Sequence, residues 1–200
     1  MNFWPFSRRP AGGGAVVPCV ALLLLCCAVP AFAVQPSLTA IQPFGFQRGT
    51  DVEVQLTGAR LGDAQELMLY SPGVTVKKLE ATKDNQVTAA LAVAADCELG
   101  LHALRIRSAS GISNLRLFSV GALPEVAEAE PNSEFEQPQA ISLDCVVNGV
   151  VPAEDVDYFV VDAKKGERIT AEIEGVRLGY TFFDPYLAIL NSERFELSRS

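Results

Sequence analysis

Asp51-Val-Glu-Val-Gln-Leu-Thr57 places polar and apolar side chains in strict alternation. On a strand, where side chains change face at every residue, this sends Val52, Val54 and Leu56 to one side and the charges to the other. The stretch therefore reads as a half-buried strand, and its neighbours repeat the pattern. Gly58 and Gly62 bracket a turn, Glu66 to Tyr70 is a short apolar run, and Ser71-Pro-Gly73 turns into Val74-Thr-Val-Lys-Lys-Leu79. Gln86 to Val93 alternates through Val87, Ala89, Leu91 and Val93. Leu99-Gly100 then opens Leu101-His-Ala-Leu-Arg-Ile-Arg107, where Leu104 and Ile106 oppose Arg105 and Arg107, and Ser110-Gly111 turns into a last strand. Six or seven short strands spaced by turns predict a β-sandwich of immunoglobulin size over residues 34–121, held by two inner faces of Val, Leu and Ile. Pro and Gly punctuate the rest of the chain, and no apolar 3.6-residue periodicity persists for a helix length, so the expected class is all-β throughout.

The first 33 residues stand apart from this pattern. Arg8 and Arg9 precede an apolar run, Val16 to Val29, that ends in Ala31-Phe-Ala33. This is the layout of a secretory signal peptide cleaved after Ala33. The uninterrupted apolar part, Val20 to Val29, falls short of the roughly 20 residues a bilayer requires, so no transmembrane anchor is expected in the mature chain. Export to the extracellular space, the cell surface or a periplasm follows. Losing Arg8 and Arg9 leaves 14 cations against all 24 acidic residues, a formal charge of −10. Nucleic acid is disfavoured as a partner, because phosphate binding needs clustered cations.

Of five cysteines, Cys19, Cys26 and Cys27 depart with the leader, and Cys97 and Cys145 remain, one in each half. They are either small buried thiols or, in an oxidising compartment, one disulfide between the halves. Zinc is unsupported with a single histidine. His102 lies on a strand and is expected on the face shared by Arg105, as a structural or surface residue.

Between Arg116 and Lys164 there is no basic residue, whereas Glu125, Glu128, Glu130, Glu134, Glu136, Asp144, Glu154, Asp155 and Asp157 all lie in that interval. Two readings compete. One is an acidic, Pro-punctuated linker over residues 122–138 that repels itself into extension. The other begins from the preference of calcium for six to eight oxygen ligands drawn from carboxylates, amides and carbonyls. In an extended segment Glu128, Glu130 and Asn132 present three oxygen-bearing groups along one edge. A second set can come from Glu154-Asp-Val-Asp157 if the fold returns that loop to the linker.

The remaining segments, residues 139–200, show hairpin signals. Ile141 to Val147 leads to an Asn148-Gly149 turn, Val156 to Val161 is a strand, and Lys164-Lys-Gly166 turns into Arg168 to Glu174, a strand expected to bury Ile169, Ala171 and Ile173. Asp184 to Leu190 is a further strand, closed by an Asn191-Ser192 turn. Tyr158, Phe159, Tyr180, Phe182 and Phe183 are expected to pack in core or edge positions rather than form a sugar platform.

Two families are resembled. Pro36-Ser-Leu-Thr-Ala-Ile-Gln-Pro43, Arg48 to Gly58, Leu99 to Arg107 and Gly111-Ile-Ser-Asn114 followed by Phe118 look like an IPT/TIG domain. That resemblance implies an immunoglobulin-like sandwich used for contacts with domains, proteins or glycans, with no catalytic residues. Glu130-Pro-Asn132 with Ala140 and Ile141, then Asn148-Gly149, Asp155-Val-Asp-Tyr-Phe159, Lys165-Gly-Glu-Arg168 and Asp184-Pro-Tyr-Leu187 resemble a bacterial pre-peptidase C-terminal (PPC) domain. It implies a jelly-roll-like sandwich of secreted proteins. The similar collagen-binding modules imply a calcium site where linker meets sandwich, which by motif position is Glu128, Glu130 and Asn132 with Asp155 and Asp157. Ser133 departs from the family, which usually carries an acidic or amide ligand there. The chain also stops at Ser200 before the final strands that the resemblance implies, so the second sandwich is expected to be incomplete.

No G-x-S-x-G, H-E-x-x-H, P-loop or Rossmann pattern occurs. The expectation is thus a secreted, non-catalytic binding, adhesion or accessory module taking an extracellular protein or polysaccharide, with Ca²⁺ as its cofactor if the acidic segment is a ligand set and none if it is a solvated linker. The alternative is the N-terminal accessory region of a secreted peptidase or other hydrolase whose catalytic domain lies beyond residue 200.

Overall fold

The alternating segments pair as strands. The computed structural model describes residues 34–152, 154–180 and 184–200, so the leader expected over residues 1–33, like Phe182 and Phe183, lies outside the described residues. Nine strands make the first half: β1 (Ser37–Gln42), β2 (Gly45–Gln47), β3 (Asp51–Ala59), β4 (Ala64–Leu69), β5 (Val74–Lys83), β6 (Gln86–Val93), β7 (Gly100–Ser108), β8 (Gly111–Ile112) and β9 (Arg116–Gly121). One sheet has the order β1-β3-β6-β5 and the other β2-β9-β7-β4, with β8 added on β7. Pairing is antiparallel except between β2 and β9, which run parallel.

Alternation translates into burial as expected. Val54 and Leu56 of β3, Val87, Ala89, Leu91 and Val93 of β6, and Leu104 and Ile106 of β7 turn inward to meet Phe46, Phe118 and Val120, while Val52 packs at the rim. Burying a side chain the size of Leu, Ile, Val or Phe stabilises by about 1.5–3 kcal/mol, so this interior carries the half. Gly58 is required by close approach: a Cβ there would lie 1.9 Å from the Ser37 carbonyl oxygen, beside the bulge between Leu38 and Ala40 where β1 crosses β3.

His102 is a correction. It does not share the face of Arg105, because residues three apart on a strand point to opposite sides. It shares the inner face with Leu104 and Ile106, is buried, and stacks on Phe118 with ring centroids 5.5 Å apart. Its Nε2 lies 2.8 Å from the Glu98 carbonyl oxygen, which makes Nε2 the donating nitrogen.

Past residue 121 the ladders shorten to β10 (Glu125–Ala127), β11 (Gln139–Ala140), β12 (Val146–Asn148), β13 (Phe159–Val160), β14 (Ala188–Leu190) and β15 (Glu196–Arg199), with one turn of 3₁₀-helix at Val176–Leu178. The fold is all-β. β14 and β15 form an antiparallel hairpin whose turn is closed by Asn191 Oδ1, which accepts from the Glu193 and Phe195 amides. The other two pairs, β10 with β12 and β11 with β13, are parallel. Asn148-Gly149 is therefore the end of a parallel strand rather than the hairpin turn expected of it. Arg168 to Glu174 forms no strand, and Ala171 and Ile173 are exposed while Ile169 is half-buried. Alternation buries a face only where a second layer covers it, and no described strand pairs with this segment. Among the described residues past 121, Leu178 is the one buried apolar side chain. Cys97 is buried and Cys145 half-buried, and among the described residues the two form no disulfide.

Candidate cation site at the joint

Backbone pairing brings the distant loop to the linker. The Tyr158 amide donates to the Asn132 carbonyl at 2.9 Å, and the Gln139 amide to the Tyr158 carbonyl at 2.9 Å, continuing into the parallel β11–β13 pair. The Phe135 and Tyr158 rings meet edge to face with centroids 5.7 Å apart. The Gln139 side chain spans the linker from the other side, its Nε2 donating to the Ala127 carbonyl and its Oε1 accepting from the Ala129 amide. Residues 128–132 and 155–157 are thus neighbours.

Three carboxylates converge there: one oxygen each of Glu128, Glu130 and Asp157 lies within 4.8 Å of the others. Asn132 sits among them, fully buried, its Nδ2 donating to Glu128 Oε1 at 3.4 Å. Among the described residues, Asn132 Oδ1 and Asp157 Oδ1 are both buried without a hydrogen-bond partner. Orphaned buried oxygens cost free energy, and nearly all such atoms in folded proteins have a partner. Here two of them belong to an all-oxygen, negatively charged donor set. That is the chemistry a hard divalent cation takes, and the residues present fit calcium.

Burial and the neighbouring negative charges both act on this cluster. Burial pushes the Asp157 carboxyl up from 3.8 to about 6, with the negative charges of Glu128, Asp155 and Glu130 and a hydrogen bond to Glu128 adding to it. Glu128 and Glu130 are held by the backbone, Glu128 Oε2 accepting from the Val150 amide at 2.8 Å and Glu130 Oε2 from the Asn132 amide at 3.1 Å. Asp155 stands at the rim. Its Oδ1 accepts from the Ser133 hydroxyl at 3.2 Å and the Val156 amide at 3.0 Å, and it is not among the three mutually close carboxylates. Ser133, where the resembled family carries a ligand, instead orients Asp155.

A second constellation was not singled out in the sequence. Asn148, at the end of β12, reaches into the first half, where its Oδ1 accepts from the Phe44 amide at 3.1 Å and the Gly45 amide at 3.0 Å. Its Nδ2 donates to Glu125 Oε2 at 2.5 Å. Burial raises the Glu125 carboxyl above its ordinary value, and the bond from Asn148 works against that rise. A second tie lies at Tyr180, whose hydroxyl donates to the Leu117 carbonyl at 2.8 Å and whose ring meets Phe44 edge to face and Arg116 by cation–π contact. Tyr180 and Tyr158 are packing residues, whereas Phe159 is exposed. The signal for Asn148 was hidden because Asn-Gly reads locally as a turn.

No protein-family model and no curated protein matches the chain. Among solved structures the chain is similar to a Bacteroides ovatus mixed-linkage glucan utilization locus protein, SGBP-B, in complex with a mixed-linkage heptasaccharide, at 13% identity and a TM-score of 0.34. The likeness covers 54% of this chain and 25% of that one, so the chain matches about a quarter of its length. At that level it carries no argument about function. Among the described residues no helix is long and apolar enough to cross a membrane.

Proposed function

We propose that the chain is an exported, non-catalytic binding, adhesion or accessory module, an IPT/TIG-like sandwich followed by a PPC-like second half, whose joint is closed by calcium. Glu128, Glu130, Asn132 and Asp157 would hold the ion and Asp155 would support them from the rim. The observation that carries the reading is the convergence of three carboxylates on the buried, unpartnered oxygens of Asn132 and Asp157. When bound, calcium supplies the positive charge that these oxygens lack. The non-catalytic part is supported by the place of the chain's single histidine, buried in the sandwich core against Phe118 and beyond reach of substrate. The partner proposed is an extracellular protein or polysaccharide.

Isothermal calorimetry on the chain from Val34, with Ca²⁺ as the probe, tests the site. One-site binding with a Kd in the range of about 10⁻⁴–10⁻³ M found for extracellular modules, lost in Asp157→Asn, is expected. No binding heat together with an unchanged thermal midpoint in chelator would remove calcium from the account.

A further inference from the structure

The cation site and the contact between the two halves share one short segment. Asn148, Gly149 and Val150 each touch one of them or both. The Asn148 carbonyl accepts from the Glu128 amide at 3.0 Å, while its side chain grips Phe44, Gly45 and Glu125. The Val150 amide holds Glu128 Oε2. Between them, Gly149 leaves the space in which the Glu128 carboxylate lies, since a Cβ there would come within 2.8 Å of Glu128 Oε2. On the far side Gly45 serves the same purpose for Glu125, its Cβ position being 3.2 Å from Glu125 Oε1. Glu125 and Glu128 are three residues apart on and just past β10, and β12 runs parallel beside them, so each carboxylate meets one end of the same segment.

We infer that Asn148–Val150 couples the two sites: a cation that fixes Glu128 also fixes the Asn148 side chain on Phe44 and Gly45, locking the first sandwich to the second half. This rests on the calcium reading of the site. Without the ion, mutual repulsion among Glu128, Glu130 and Asp157 works against the position of Glu128 and hence of the segment it is bonded to. With the ion, the carboxylate is held, the Val150 and Glu128 amide bonds are retained, and the Asn148 amide stays aligned by its three partners. Coupling of this kind is reciprocal, so the factor by which calcium tightens the clamp equals the factor by which the clamp tightens calcium.

Hydrogen exchange of the Phe44 and Gly45 amides, whose acceptor is Asn148 Oδ1, reads the clamp directly, and calorimetric Ca²⁺ titration of the same sample reads the site. In the full chain from Val34, saturating Ca²⁺ is expected to slow both amides by about tenfold or more. Asn148→Ala, which keeps the backbone bond to Glu128 and touches no proposed ligand, is expected to abolish that slowing and to weaken Ca²⁺ binding by the same factor. Glu125→Gln, a milder change on the other side of the clamp, is expected to do both to a smaller extent and serves if Asn148→Ala does not fold. Gly149→Ala is expected to weaken Ca²⁺ binding by about tenfold, the usual penalty for disturbing what orients a ligand. Calcium binding with unchanged exchange at Phe44 and Gly45 and unchanged affinity in both clamp variants overturns the coupling and leaves the cation site standing. Absence of Ca²⁺ binding overturns both.

Discussion

The two halves of this chain are stabilised by different physics. In residues 34–121 two sheets face each other across Val54, Leu56, Leu91, Ile106 and Phe118, and the burial of apolar area does the work. In residues 122–200 the described strands are two to four residues long, apolar side chains such as Val150, Val156, Phe195 and Leu197 are exposed, and the contacts are polar: Gln139 across the linker, Asn132 among carboxylates, Asn148 into the first half. A half without a covered apolar face must obtain its order from hydrogen bonds, from its neighbour and, in the proposed reading, from an ion. The first half therefore answers to volume changes, and the second to charge.

The sharpest way to break this contrast is in the core. Leu91→Ala should cost about 2–5 kcal/mol in urea unfolding of the first half while leaving Ca²⁺ affinity unaltered. Next in size is the ion itself. Ca²⁺ at about 100 times its Kd should stabilise the native state by about 2.7 kcal/mol over the chelated sample in thermal unfolding, with the gain absent in Asp157→Asn. That same variant should be more stable than the parent in chelator at neutral pH, because it removes a charge from a cluster that repels itself.

The pH profile gives a smaller signal with a definite sign. With the Asp157 carboxyl at about 6 in the fold against 3.8 ordinarily, the native state keeps a proton in that window which the unfolded chain has released. Stability of the metal-free protein must then fall as pH rises through the window, and the Ca²⁺ increment must grow, since the ion binds the ionised group. Thermal midpoints in chelator from pH 4 to 7 check it. The smallest effect belongs to the surface. Lys77→Ala, which removes the exposed 2.7 Å pair with Asp51 on the first sheet, should change stability by under about 1 kcal/mol.

Period-2 alternation made the first half legible because each segment has a sheet to pair with and a face to bury. The exception is His102, an odd number of positions from Arg105 and therefore on the opposite, inner face of β7. The second half was harder to read. A parallel pair such as β10 with β12 joins segments about twenty residues apart and leaves no local dipeptide signature, whereas the antiparallel hairpin closed by Asn191 does. Glu128, Glu130 and Asn132 could be proposed from their spacing, but their meeting with Asp157 depended on the Tyr158–Asn132 bond, which is tertiary. Asn148 was invisible because the groups it satisfies, the Phe44 and Gly45 amides, lie over a hundred positions away.

The central claim, that an ion orders the second half and its contact with Phe44 and Gly45 but not the core of the first sandwich, is tested most directly by residue-resolved hydrogen exchange with Ca²⁺ and with chelator. Slower exchange in Ca²⁺ is expected at the amides of Asn132, Val150 and Tyr158, with Val54, Leu91 and Ile106 unchanged. Equal rates at Asn132, Val150 and Tyr158 in the two conditions, or a uniform change that includes the sandwich core, would contradict it.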